Sequence, residues 1–104
     1  MEIKITARHL ELTADMKSLT EKKVKKLRKF FPRVQHVDVL LEKVKYLYKA
    51  EILLKADHFT LEGRAEANDL QSCLDDALDK VERRLRKQKE KISEKKHVKK
   101  TPVL

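Results

Sequence analysis

The chain predicts an α+β domain in the order β-α-β-β-β-α, a four-stranded sheet with two helices packed on one face. Three observations predict it. Apolar residues alternate with period two in four short runs, they recur at helical spacing in two longer ones, and each run has a single apolar face to bury. Two helices on one side of a four-stranded sheet bury every such face and leave the second sheet face to solvent. At 104 residues the chain suits one domain with one modest core.

The first strand is EIKITA (2–7), with Ile3 and Ile5 on one face. Thr13 suits a helix N-cap and Asp15 the positive end of the helix that follows. Met16, Leu19, Val24, Leu27 and Phe31 carry that helix to about Phe31, where Pro32 stops it. Three strands come next. Val37, Val39 and Leu41 alternate in the second; Tyr46, Tyr48, Ala50, Ile52, Leu54 and Ala56 share a face of the third; Phe59, Leu61, Gly63 and Ala65 share one of the fourth. Asp57-His58 is short enough to require a tight hairpin. Gly63 inside a strand suggests a bulge or a close helix approach. Parallel pairing of the first two strands would make their connection a right-handed crossover. The last helix starts near Asn68-Asp69 and carries Leu70, Cys73, Leu74, Ala77, Leu78, Val81, Leu85 and Ile92 as one stripe. The domain is therefore expected over 1–92, with a flexible basic tail over 93–104.

Charge is the second message. From Lys80 to Lys100 there are eleven Lys/Arg against three acids, a net +8 in a chain of net +9. The dipole of a helix end accounts for a few cations in the last turn and not for eleven. Such a field suits a polyanion, gaining free energy as condensed counterions leave a phosphate backbone. On the last helix Lys80, Arg83, Arg84, Lys87 and Lys91 follow i, i+3, i+4, i+7, i+11 as one ridge, with Asp79, Glu82 and Glu90 further round. On the first, Lys22, Lys25, Lys26 and Lys29 lie opposite the apolar stripe. Side by side, the two rows would form a basic surface spaced for the phosphates of a folded RNA groove, which is recognised by shape and backbone. Lys4, Lys49, Lys55 and Arg64 are expected on the solvent face of the sheet. The aromatics Phe30, Phe31, Tyr46, Tyr48 and Phe59 fall mostly on core faces, which argues against a base-stacking sheet platform.

Other chemistries find little support. His9, His36, His58 and His97 are scattered without zinc-ligand spacing, so no metal is expected. Cys73 sits on the buried stripe, where a thiol is protonated and hidden. One glycine excludes a phosphate-cradling glycine loop. No catalytic set, cofactor or small-molecule substrate is expected. No apolar run is long enough to span a bilayer, MEIKITARHL lacks a signal-peptide core, and a lone cysteine fits a reducing compartment, so the cytoplasm is the expected location and a membrane is not an expected partner.

Four fragments in order, IKITARHLELT, VKKLRKFF, YKAEILL and EANDLQSCLDDALDKVERRLRKQKEK, resemble the ribosome hibernation-promoting factors, the family of ribosome-associated inhibitor A and the sigma-54 modulation proteins. The resemblance covers about residues 1–92. It implies a fold like that of double-stranded-RNA-binding domains. It also implies binding in the messenger/transfer RNA channel of the small ribosomal subunit and its rRNA, which silences idle ribosomes under stress or in stationary phase. Family basic positions fall on Arg8, Lys23, Lys26, Lys80, Arg83, Lys87 and Lys91, and Lys23, beside the apolar stripe, can reach RNA by extending its stem. The chain departs from the family at Ala7, where a glycine is frequent, and at Leu70-Gln71, where Met-Tyr is usual. Its length and basic ending resemble the short hibernation-promoting type, with a protein that is monomeric off the ribosome. Two rivals stand beside this reading: a protein-interaction transcription modulator and a generic double-stranded RNA binder.

Overall fold

Strands β1 (Glu2–Arg8), β2 (Val34–Val44), β3 (Leu47–Ala56) and β4 (Thr60–Ala67) form one sheet in the order β1-β2-β3-β4. β1 and β2 are parallel neighbours, and the other two pairs are antiparallel. Helices α1 (Ala14–Lys25), α2 (Leu27–Phe30) and α3 (Leu70–Lys100) complete the fold. The computed structural model describes residues 1–100, with side chains through Lys89 apart from Phe30.

Period-two alternation sets the layers. Val37, Val39, Leu41, Ala50, Ile52, Leu54 and Ala65 point to the helix side and are buried. Val24 and Leu27 from the first helical segment and Cys73, Leu74, Ala77, Val81 and Leu85 from α3 close over them. Full burial of each large aliphatic side chain contributes about 1.5–3 kcal/mol. At the far end Phe31 and Phe59 meet edge to face, with ring centroids 5.3 Å apart.

Several boundaries differ from the sequence expectation. The first helix is two: the Lys26 amide bonds to the Lys23 carbonyl at 3.2 Å and the Lys29 amide to that of Lys26 at 3.1 Å, a tighter i→i−3 pattern that interrupts the helix at Lys26. Phe31 is extended, as a residue before proline must be, and the chain enters β2 at Val34. Tyr46 does not share the buried face of β3. It stands with Lys45 in the two-residue turn that joins Val44 to Leu47 and is 88% exposed. Gly63 marks a close helix approach; the register irregularity lies instead between Val34 and His36. Ala7 continues β1 opposite Leu41, and the chain turns at His9, whose φ of 56° is left-handed. The backbone of α3 runs through the boundary expected at residue 92, and residues 101–104 lie outside the described part.

The caps follow the sequence. Thr13 Oγ1 accepts from the Met16 amide at 3.2 Å, and Asp69 Oδ1 from the Ser72 amide at 2.9 Å. Of the two candidate caps of α3, Asp69 makes the bond.

Candidate nucleic-acid interface

The strand register lays out the open sheet face as four cross-strand rows. From β1 to β4 they read Glu2–His36–Lys55–Thr60, Lys4–Asp38–Leu53–Glu62, Thr6–Leu40–Glu51–Arg64 and Arg8–Glu42–Lys49–Glu66. Five Lys/Arg meet six carboxylates there, so the face is balanced, with opposite charges placed on facing strands. Arg64 bonds to Glu62 and lies 2.9 Å from Glu51. The hydrogen bond to Glu62 first, then the charges of Glu62 and Glu51, push its guanidinium above the ordinary range. His36 stands 2.8 Å from Asp38 and 3.6 Å from Glu2, and Lys49 lies 3.9 Å from Glu66.

The helix layer is not balanced. Residues 14–30 and 70–89 carry thirteen Lys/Arg against six acids. Lys22, Lys25, Lys26 and Lys29 are exposed around α1 and α2, as the wheel predicts, with Arg28 and Arg33 beside them. On α3, Lys80, Arg83, Arg84 and Lys87 are exposed, while the side chain of Lys91 lies outside the described residues.

The two rows do not merge. Between them runs a groove of about 390 Å³ with Lys23, Lys26 and Lys29 on one wall and Asp75, Asp79 and Glu82 on the other. Lys23 pairs with Asp75, and its side chain is only 20% exposed. Asp79 also reaches Arg83 at 3.1 Å, and Glu82 reaches Arg86 at 3.5 Å. The sign segregation expected on α3 is therefore incomplete, because i,i+4 pairs carry acids into the cationic side.

Lys80 and Arg84 turn the other way, towards β4. Lys80 Nζ donates to the Arg64 carbonyl at 2.6 Å, and the Arg84 guanidinium donates to the Glu62 carbonyl. β4 is an edge strand, and these side chains occupy carbonyls that another strand could otherwise pair with. Each retains further N–H donors for an anion. Arg8 stands apart from both helix rows, on the open sheet face opposite Glu42.

Cys73 is buried, its Sγ 3.1 Å from the Tyr48 carbonyl and 3.3 Å from that of Ala65. Burial first, then the Asp76 charge, pushes the thiol up, which suits packing and not nucleophilic chemistry. Among the described residues no group of three or more His, Cys, Asp or Glu is placed to hold a metal ion, and no helix is long and apolar enough to cross a membrane. Tyr46 was missed by reading alternation alone. The matched lengths of the runs around 37–44 and 47–56 are the signal that could have found it, since their pairing leaves two residues for the turn.

The family described as sigma 54 modulation protein / S30EA ribosomal protein matches residues 3–93. The chain is 30% identical over 94 residues to the ribosome hibernation promoting factor of Klebsiella oxytoca, and 28% identical over 94 residues to that of Escherichia coli K12, in each case covering 90% of this chain and 99% of the relative. Among solved structures, a ribosomal subunit interface protein from Coxiella burnetii superposes with a TM-score of 0.80 at 22% identity, covering 86% of this chain and 98% of that one. The N-terminal domain of Thermus thermophilus Protein Y does so with a TM-score of 0.77 at 26% identity, covering 84% and 98%. The α+β fold is thus the one these structures share, and with nearly its whole domain matched the chain belongs to the sigma 54 modulation / S30EA ribosomal protein family.

Proposed function

We propose that this protein silences translation by occupying the messenger/transfer RNA channel of the small ribosomal subunit, with the cations of its helix layer set against rRNA phosphates. The observation that carries this reading is the partition of charge: thirteen Lys/Arg against six acids over the helices, five against six on the open sheet face. A polyanion is drawn to the first layer and gains little from the second. Family membership and relatives named for ribosome hibernation support the ribosome as the partner.

In this mechanism Lys22, Lys25, Lys26 and Lys29 form one row of phosphate contacts, and Lys80, Arg83, Arg84, Lys87 and Lys91 form the other. Lys23 and Arg83 exchange their carboxylate partners for phosphate. Arg8 meets RNA from the sheet end. The effect is steric exclusion of messenger and transfer RNA backed by electrostatic affinity, with no bond made or broken and no cofactor. It places the protein in the cytoplasm, monomeric off the ribosome, with the lysines from Lys95 to Lys100 at the end of α3 as an additional polyanion contact.

The variant Arg83→Glu/Lys87→Glu tests the reading. Both positions are exposed, so helix content and melting should be retained, while co-sedimentation with small subunits should be lost. Undiminished inhibition of cell-free translation by this variant would remove α3 from the interface. The sigma-54 part of the family description carries a rival, in which the basic layer binds an acidic protein. Pull-down from lysate with and without nuclease separates the two. The ribosomal reading requires rRNA in the untreated capture; an acidic protein that stays bound after nuclease treatment, with no rRNA in the untreated capture, would favour the rival.

A further inference from the structure

The β2–β3 hairpin ends in a group of side chains that neither the core nor the helix cations explain. Tyr46 is 88% exposed, the most exposed large hydrophobic side chain among the described residues, and Val44 and Leu47, the strand pair that closes its turn, expose 37% each. From Lys43 to Ala50 the sequence KVKYLYKA contains three lysines and no acid. Lys43 Nζ sits 5.3 Å from the Tyr48 ring centroid, so one lysine is already held by an aromatic face. Lys45 has a φ of 57°, in a left-handed turn position that Gly, Asn or Asp would occupy more easily.

Position matters as much as composition. The hairpin lies where β1 ends and α3 begins, since Arg8 pairs with Glu42 and Tyr48 with Ala67. From there α3 runs back along β4, Lys80 reaching Arg64 and Arg84 reaching Glu62, so its cations lie progressively further from the hairpin. The tip is a separate contact at the opposite end of the domain.

Resting on the RNA reading above, the geometry points to Tyr46 as a stacking contact for an unpaired base of the bound RNA, with Lys43 and Lys45 neutralising the phosphates that flank it, while Lys49 stays with Glu66 on the open sheet face. A phenol ring offers a flat apolar surface at small entropic cost, and bases in single-stranded loops stack on such rings. Three exposed apolar side chains are too few to supply the buried area of a stable protein interface or a membrane-inserted face. The run of lysines favours a polyanion.

Tyr46→Ala and Tyr46→Trp, compared with the unsubstituted chain on purified small subunits at several salt concentrations, test this. Tyr46→Ala should weaken binding roughly 5- to 150-fold, the range of one base–aromatic stack, and leave the salt slope unchanged because no ion contact is lost. Tyr46→Trp should keep the affinity. The chain has no tryptophan, so that variant carries a single indole whose emission should be quenched in the complex. Equal binding by Tyr46→Ala at every salt concentration overturns the inference, as does indole emission that changes with anionic lipid vesicles and not with subunits. If the unsubstituted chain itself ignores subunits, the ribosomal reading falls and takes this one with it; if it binds and Tyr46→Ala binds equally, the hairpin assignment alone is lost.

Discussion

Gly63 shows how one residue positions the candidate site. A Cβ built there would lie 2.6 Å from Val81 Cγ2 and 2.8 Å from the Ala77 carbonyl oxygen. The second contact is with backbone, so a side-chain rotation cannot relieve both. Glycine lets α3 settle onto β4, and that approach brings Lys80 and Arg84, flanking Val81, within reach of the edge carbonyls. Gly63→Ala should therefore cost about 1–3 kcal/mol, the usual range for overpacking. Urea unfolding should show this as a lower midpoint with an unchanged slope. Parental stability would mean that the helix moves away freely. Gly63 was legible in the sequence as an anomaly within a strand, though not which helix side chains depend on it. That depends on distances between elements remote in sequence.

At the scale of elements, the start of α3 joins a cap to a pH dependence. The hydrogen bond from the Ser72 amide first, then that from the Ser72 hydroxyl, holds the Asp69 carboxyl below its ordinary value of 3.8. Between the folded and unfolded values the unfolded chain binds more protons, so stability rises with pH there. The contribution is present above the ordinary value and is lost as pH falls through the folded one. Asp69→Asn keeps an oxygen acceptor for the cap and removes the titration. Its melting temperature should match the parent near pH 4 and fall less between pH 4 and pH 2; parallel curves would show that other carboxylates govern the acid limb. Elements were largely legible because each has one buried face. Thr13, Asp69 and the stripe from Cys73 to Leu85 were read correctly from spacing alone. The interruption at Lys26 was not, because tightening by less than one turn leaves Val24 and Leu27 on the same buried side. Tyr46 was not, because a turn residue can continue a period-two pattern that only strand pairing ends.

At the scale of the molecule, the sheet separates two electrostatic surfaces. Sequence counting located the excess charge and the ridge residues, but not the carboxylates Asp75, Asp79 and Glu82 between the two rows or the balance of the open face, since both depend on which strands and helices lie together. A comparison of two doubly neutralised variants isolates the consequence. Lys26→Gln/Lys29→Gln removes two charges from the helix layer, and Lys4→Gln/Lys55→Gln removes two from the open sheet face. Net charge changes equally, so any effect of overall charge is the same in both. If the helix layer carries the phosphate contacts, the first pair should lower the magnitude of the salt slope of subunit binding by about two, and the second should leave it nearly unchanged. Both variants should keep their fold, since all four lysines are exposed. Equal loss of slope in the two would mean that RNA responds to the total charge of the domain and not to one surface. The proposed occupancy of a channel, which requires one face towards the rRNA, would then fail even with binding intact.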